Sequence, residues 1–298
     1  MATLKKQIKR RLPLVFIFLV LLLGIGLFMY PIVSNWYGEY TAHTSIESYD
    51  QAIQDAGNEA IEKMQRAAEE YNAALSKHDE KKVSAMHYAQ LLAVAESIGY
   101  IEIPRINVYL PIYHGMSDEV LQKGIGHMEG TSLPVGGSST HCVLAGHTGL
   151  PSANLFTDLD QLKNGDMFYI HTLDKVLAYQ IDQTKVVLPH ETNDIQIAET
   201  EDYVTLVTCT PYGINSHRLL VRGTRVPYKT QTMAETHPWP VVHKGEEEQK
   251  IPLRTIVWYA ALTVISIVTF VILLILFVPV FHRRKRKNEQ ETKPDSSA

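Results

Sequence analysis

The sequence of 298 residues predicts a mainly β domain that follows a helical segment and lies between two membrane-spanning helices. Three observations support this prediction. Seven short runs rich in β-branched and aromatic residues lie between positions 99 and 227, separated by Gly, Pro or polar residues. Apolar residues recur at steps of three and four between positions 41 and 75. Two further segments, 12–30 and 256–280, are apolar and carry no charge.

The β-rich region predicts seven or eight short strands within residues 98–227. Strands of this length, with turn signals between them, are typical of a closed barrel or a sandwich. LPVGGSST and KNGD are the clearest turns. The predicted strands lie in YIEIPRI, NVYLPIY, HCVLAG, MFYIHTL, KVLAYQIDQTKVVLP, YVTLVTC and RLLVRG.

The region before the strands, residues 34–97, is predicted to be a helical extension. Its spacing puts one apolar stripe on a helix over residues 41–75, and such a stripe normally packs on the helix's own domain. Gly57 interrupts this pattern and marks a bend. A second, shorter helix is predicted over residues 80–97, with Met86, Ala89, Leu92 and Ala93 facing inward.

The two apolar segments predict membrane spans over residues 12–33 and 256–280, because about 20 apolar residues cross a hydrocarbon core of roughly 30 Å. Basic residues precede the first span and follow the second, so segments 1–11 and 281–298 are predicted to be cytoplasmic and the region between the spans extracellular. A cleaved signal peptide is the alternative for the first span, but PIVSNWYGEY offers no small-residue cleavage site. Polar residues 228–255 are interpreted as a tether.

The net charge of −4 is unevenly distributed. The first eleven residues carry +5 and the last eighteen carry +3, which leaves −12 on the rest of the chain. This acidic balance argues against a nucleic-acid partner. No cofactor and no metal is predicted.

Cys142 and Cys209 are the two cysteines, and their positions differ. Cys142 lies inside a predicted strand beside apolar residues, which indicates a buried thiol. Cys209 is the last residue before a loop. A cysteine there is often a small buried hydrophobe as well, but it can also reach solvent and substrate, which favours a reactive thiol.

A nucleophilic cysteine needs a nearby base or imidazolium, and thirteen histidines are available. His147 lies between glycines in AGHTG, His127 in GIGHMEG has a similar setting, and the spacing alone leaves both open. If the strands around the loop 210–217 pair antiparallel, Arg218 lies beside Cys209. Arg222 would then lie about 13 Å further along the strand, too far to act on the thiol.

LAGHTG around His147, and TLVTCTPYGINSHRLLVRG around Cys209 and Arg218, resemble the signature segments of sortases, the membrane-anchored cysteine transpeptidases of Gram-positive bacteria. The resemblance covers about residues 98–227. The helical segment before this region and the second span after it are shared with class C sortases, the pilin polymerases.

The resemblance implies a closed sortase-type barrel of about eight strands, with His147, Cys209 and Arg218 converging at one end. It also implies that the thiolate cleaves an LPxTG-like sorting signal of a surface protein or pilin between Thr and Gly. The acyl group would then pass to an acceptor amine, either a pilin lysine or a cell-wall precursor. A wall-anchoring sortase, a hydrolase using water, and a non-enzymatic membrane-tethered assembly protein are the alternatives.

One part of the sequence departs from the class C pattern. Many class C sortases carry a lid before the barrel, with an Asp-Pro-aromatic motif that occupies the active site. The matching region reads AALSKHDEKKVSAMHYAQLL, in which Asp79 is followed by neither proline nor an aromatic residue. The sequence therefore predicts that the lid is absent and the active site open.

Overall fold

The computed structural model of the protein describes residues 2–150 and 155–228. The predicted second span 256–280, the tail 281–298 and all but the first residue of the tether 228–255 lie outside these residues. The described strands are β1 (Gly99–Ile103), β2 (Val108–His114), β3 (Ile125–His127), β4 (Thr140–Ala145), β5 (Met167–Thr172), β6 (Lys175–Val187), β7 (Asp202–Thr210) and β8 (His217–Val226).

These eight strands form a closed barrel in the order β1-β2-β3-β4-β7-β8-β6-β5. The prediction of a closed barrel of about eight strands is therefore confirmed. Seven strands coincide with the runs read from the sequence. The eighth, β3, has three residues and was missed because Ile-Gly-His shows no alternation. It bridges β2, to which it is parallel, and β4, to which it is antiparallel.

Alternation along the strands decides what lies inside the barrel. On β7, Val204 and Leu206 belong to the main hydrophobic core, and on β8 Leu219 and Val221 do. The intervening residues, Cys209 and Arg218 among them, belong to the outer face, because successive side chains of a strand point to opposite sides. Cys209 and Arg218 therefore lie on the outer face, where β7 ends and β8 begins.

Within the described residues, four α-helices accompany the barrel: α1 (Ala2–Ala56), α2 (Asn58–Ser76), α3 (Glu80–Ala85) and α4 (Asp118–Lys123). Short 3-10 turns cover Tyr88–Gln90, Pro104–Ile106, Leu159–Gln161 and Asn193–Ile195. The break between α1 and α2 falls at Gly57, where φ is +75°. That conformation favours glycine, so the predicted bend is observed.

The predicted helix over residues 80–97 is wrong in its length, since α3 ends at Ala85. Met86 is extended (φ −92°, ψ 119°), and Leu92 has a positive φ of 58°. Contacts with the barrel explain the early end: the Tyr88 hydroxyl reaches His127, and the Leu91 carbonyl lies 2.7 Å from Nε2 of His114. These tertiary hydrogen bonds outweigh the local helical pattern.

The helices are fixed to the barrel by buried polar contacts. The Asn72 amide donates to the Leu133 carbonyl (3.1 Å) and accepts from the Leu133 N–H (2.7 Å). The Tyr49 hydroxyl accepts from the Leu173 N–H at 2.7 Å and donates to the Ile98 carbonyl at 3.3 Å. Ala42, Ile46 and Tyr49 of α1 are buried. The stretch Phe18–Ala56 of the same helix contains a window long and apolar enough to cross a membrane (mean hydropathy 2.0).

His127 joins the barrel to the segment after α3. Its Nε2–H donates to the Ser132 carbonyl (2.9 Å), so Nδ1 is free to accept from the Tyr88 hydroxyl (2.7 Å). That hydroxyl in turn accepts from the Gly115 N–H at 3.1 Å. The ring is fully buried, and burial lowers the pKa of His127 to about 4. His127 is therefore a neutral structural histidine near pH 7.

We predict that His127 makes the fold sensitive to mild acid. Its folded pKa is depressed, so the unfolded chain takes up a proton that the folded chain refuses, and stability falls as pH drops from about 6.5 towards 4. Protonation of His127 in the unfolded chain lowers the free energy of unfolding by about 2 kcal/mol between about pH 7 and pH 5. Thermal unfolding of the full chain in detergent would measure it.

His127→Gln supplies the control for this prediction, because glutamine cannot titrate. The quantity compared is the slope of the free energy of unfolding against pH, so a lower overall stability of the variant does not affect the comparison. His114, whose pKa burial also lowers, contributes a slope common to both proteins. Equal slopes for wild type and variant would contradict the prediction.

Candidate functional site

The pairing of β7 with β8 places Cys209 directly opposite Arg218. The strands are antiparallel, and residues in register on one face have Cβ atoms about 4.5–5.5 Å apart. Both residues are half-buried, at the end of the barrel where the β7–β8 loop begins and ends. The expectation that an antiparallel pair brings the thiol and the guanidinium together is thus met by the backbone register itself.

The Arg218 guanidinium is held against the loop that separates it from Cys209. One terminal nitrogen, Nη1, donates to the carbonyls of Asn215 (3.2 Å) and His217 (3.0 Å). Asn215 has a positive φ of 59°, a conformation that asparagine tolerates better than most residues. The remaining guanidinium donors have no protein acceptor among the described residues, so they can bind an oxygen of another molecule.

His147 follows β4, which runs parallel to β7 with Ala145 opposite Val207. If this register continued for two more residues, His147 would lie beside Cys209 on the same outer face, with the two backbones about 5 Å apart. The chains remain attached there, since the Gly146 N–H donates to the Val207 carbonyl (3.0 Å) and the Thr208 hydroxyl donates to the Gly146 carbonyl (2.7 Å).

The glycine before His147 is required by packing. A Cβ atom at Gly146 would lie 2.8 Å from the side chains of both Ile125 and Phe156. The chain therefore passes close over the end of the core before it presents His147. Within the described part of the chain the His147 ring has no hydrogen bond, and catalytic rings in unliganded enzymes often engage only when substrate binds.

Three further histidines, His127, His141 and His217, lie in other surroundings. His127 lies in the interior, as described above. His141 is buried on the outer face of β4, where its ring contacts the Gln196 carbonyl (2.8 Å) and the Thr205 hydroxyl (2.7 Å); burial lowers its pKa. His217 lies 2.8 Å from the Ser216 hydroxyl through Nδ1. Of these rings, only His217 is close to the loop, and it lies beyond Arg218.

Cys142 is a core residue with 3% of its surface exposed. Burial raises the pKa of its thiol well above the ordinary value, so it stays protonated. The two cysteines are unpaired and lie on opposite faces of their strands. The structure thus separates a buried thiol from a half-exposed one, as the sequence predicts.

Arg222 is engaged in a structural contact away from Cys209. It pairs with Thr205 across β7, forms two hydrogen bonds to Asp182 (3.0 and 2.9 Å), and lies 4.2 Å from the Tyr203 ring centre. This fork-to-fork ion pair fixes the guanidinium on β6 and β8. It offers a matched comparison for Arg218 on the same strand.

Two supporting residues were not identified from the sequence. Thr208 points away from Cys209, yet its hydroxyl bonds to both the Gly146 carbonyl and the Thr148 hydroxyl, and so fastens the His147 segment to β7. Tyr212 lies against Gly149, which belongs to the same segment as His147. Strand alternation around a parallel β4–β7 pair would have indicated Thr208, but no sequence signal indicated Tyr212.

The segment in which the sequence predicts no lid packs on the helical extension. Lys82 forms an ion pair with Glu70 of α2 (2.6 Å), and Val83 and Met86 pack against the main core. Asp79 caps α3 by accepting from the Lys82 N–H at 3.1 Å. The contacts described for residues 77–86 thus join them to the helices and core.

Residues 101–226 match the sequence-family model of the sortase domain. Structures of sortase C from two organisms are among the solved structures that the chain resembles. Sortase C of Streptococcus pneumoniae, studied for its catalysis and pilin substrate specificity, is 46% identical with a TM-score of 0.56, over 61% of this chain and 96% of that one. Clostridium perfringens sortase C, solved with the C-terminal cell wall sorting motif, is 47% identical with a TM-score of 0.56, over 63% and 100%.

A curated relative, sortase D of Bacillus subtilis, is 30% identical over 134 residues. That match spans 44% of this chain and 65% of the relative, slightly less than two thirds of its length. The sortase C structures are matched over nearly their whole length.

We predict that Cys209 reacts readily with both a small methylthiolating reagent and a bulky fluorescent maleimide, while Cys142 reacts only in unfolded protein. Burial and a raised pKa protect Cys142, and residues 77–86 pack on the helices and core. Mass spectrometry of the full chain in detergent would locate the labels and give their rates relative to an unhindered model thiol.

A variant in which a Gly/Ser bridge replaces residues 76–82 tests whether that segment shields the Cys209 thiol. The bulky reagent should label wild type and variant at similar rates. A large increase in bulky labelling after the replacement would identify a lid and contradict the prediction.

Proposed function

The chain belongs to the sortase family, with class C sortases among its relatives, and we propose that it is a cysteine transpeptidase that joins pilin subunits at the outer face of the membrane. The observation that carries this proposal is the register that pairs Cys209 with Arg218, together with the hydrogen bonds that hold Gly146, the residue before His147, against β7. It supplies a nucleophile, a proton carrier and a fixed cation for one acyl transfer.

In the first half-reaction the Cys209 thiolate attacks the Thr carbonyl carbon of an LPxTG-like sorting signal. The C–S bond forms, and the electron pair on oxygen is stabilised by the free donors of Arg218, whose charge needs no titration. The Thr–Gly C–N bond then breaks as the His147 imidazolium gives its proton to the departing Gly amine. The product is a thioester on Cys209.

In the second half-reaction an amine attacks the thioester. Neutral His147 accepts a proton from the incoming nitrogen, the C–S bond breaks, and Cys209 returns as a thiolate beside an imidazolium. The new bond is an isopeptide if the amine belongs to a lysine side chain. The sorting motif in the C. perfringens structure and the pilin substrates of the S. pneumoniae enzyme support this donor class by analogy.

The location of the reaction is argued from α1. This helix contains an apolar stretch that could cross a membrane and continues without a break to residues that pack on the barrel. Basic residues at both ends of the chain favour cytoplasmic termini. We propose two spans, 12–33 and 256–280, with the barrel on the extracellular side, where exported proteins present their sorting signals.

We further propose that the active site is open in the resting enzyme. A lid must be displaced before substrate enters, and the apparent affinity then falls by the fraction of molecules that are closed. The absence of Pro and an aromatic residue after Asp79, and the packing of the segment on α2, support an enzyme that needs no such opening.

The acceptor is tested by competition in the full chain. A sorting-signal peptide is incubated with equal amounts of a lysine-bearing pilin fragment and a wall-precursor amine, and the products are weighed by mass spectrometry. We expect the lysine adduct to dominate. Preference for the wall amine would favour a wall-anchoring enzyme, and hydrolysis alone would favour a peptidase. Cys209→Ala and His147→Ala should each abolish every product. Cys142→Ala should leave all products unchanged.

We predict that Arg218→Lys lowers kcat/KM by about a hundredfold, the usual loss when an oxyanion donor is removed. A lysine keeps the charge but lacks the planar set of donors that binds the loop carbonyls and the substrate oxygen together. The matched change Arg222→Lys should alter kcat/KM less than about threefold, although it weakens the contact with Asp182. An active Arg218→Lys enzyme would show that charge alone suffices.

A further inference from the structure

The ring of Tyr212 lies directly on the backbone of Gly149. A Cβ atom built at Gly149 would lie 2.5 Å from Cε2, 2.9 Å from Cζ and 3.1 Å from Cδ2 of that ring. These three atoms form one edge of the ring, so this edge is the part of Tyr212 nearest to Gly149. Gly149 also has a φ of +72°, which favours glycine independently of the contact.

This contact contributes little to the hydrophobic core. Tyr212 remains 69% exposed, and it is absent from the core clusters of the described residues. Since apolar stabilisation scales with the area removed from water, a ring touched along one edge gains little from burial. Folding energy alone therefore gives no reason for an exposed aromatic side chain at this position.

The contact joins the two segments that carry the predicted triad. Gly149 lies two residues after His147, and Tyr212 lies three residues after Cys209 on the loop that Arg218 holds from its other end. The β4–β7 ladder ends before these residues. Beyond it, the segments are joined by the hydrogen bond from the Gly146 N–H to the Val207 carbonyl, by the Thr208 hydroxyl, and by the ring of Tyr212.

The other side of the His147 segment is held separately. The Phe156 N–H donates to the His147 carbonyl (3.1 Å), and the Gly149 N–H donates to the Thr157 hydroxyl (3.1 Å). The His147 segment is thus bound by Thr208 of β7 and, independently, by residues 156 and 157. Tyr212 limits its movement from the side of the Cys209 loop.

We propose that Tyr212 is a positioning residue that sets the separation between His147 and Cys209 by bracing the Cys209 loop against the backbone of Gly149. This inference rests on the proposed function, in which both residues act in one transfer. The brace works through the ring and not through the hydroxyl. It also explains why a glycine is needed at position 149, because any side chain there would displace the ring.

The test is steady-state cleavage of a sorting-signal peptide by the full chain in detergent. Tyr212→Ala should lower kcat by about tenfold or more, since misplacing reacting groups by about 1 Å can cost up to a hundredfold, and should leave KM within about twofold. Tyr212→Phe should match wild type. Gly149→Ala should resemble Tyr212→Ala, and the double variant should be no worse than either single one.

The pH profile of kcat separates positioning from general support of the fold. A charged partner widens the pH range over which a thiolate–imidazolium pair persists, so loosening the pair should narrow the active range in Tyr212→Ala. Thermal unfolding should change little, because the ring is mostly exposed. Ile214→Ala, an exposed apolar residue of the same loop, is the matched control and should leave kcat, KM and the pH profile unchanged.

Three results would overturn the inference while wild type remains active: unchanged kcat in Tyr212→Ala, a raised KM with unchanged kcat, which would indicate a substrate contact, or equal loss in Tyr212→Phe. An inactive wild type would instead contradict the proposed function. If Gly149→Ala does not fold, the comparison of Tyr212→Ala with Tyr212→Phe still decides the matter.

Discussion

The register of β7 against β8 is the constraint on which the rest of the site depends. A shift of one residue would turn Cys209 into the core and bring Val204 and Leu206 to the surface, so the apolar interior fixes the pairing. Once it is fixed, Cys209 and Arg218 must lie opposite each other on the outer face. The loop between them can then hold the guanidinium through its own carbonyls without altering the strands.

The parallel pairing of β4 with β7 adds the third group. Parallel neighbours bring equivalent ends together, so the residues that follow β4 emerge beside the residues that end β7. Gly146 allows the chain to pass over Ile125 and Phe156, and Thr208 fastens it there. The site is therefore assembled from three strand ends over a packed interior, and its reactive groups remain at the surface.

Much of this arrangement could be predicted from the sequence because it follows from alternation and spacing. The strand runs, the inward and outward faces of β7, the bend at Gly57 and the difference between Cys142 and Cys209 are local patterns. The early end of α3 and the Tyr88–His127 hydrogen bond could not be predicted, since they depend on residues 39 positions apart in the chain. The sequence pattern does not separate His147 from His127, because both histidines follow a glycine and precede a turn, and the burial of His127 is visible only in the structure.

The central claim is that Cys209, held by this register, forms the covalent intermediate. The most direct measurement is to incubate the full chain with a sorting-signal peptide and no acceptor amine, digest it at acidic pH, and map the acylated residue by mass spectrometry. The account predicts a thioester between the Thr carbonyl of the peptide and Cys209. Acylation of Cys142, or cleavage of the peptide without any acyl-enzyme on Cys209, would contradict it.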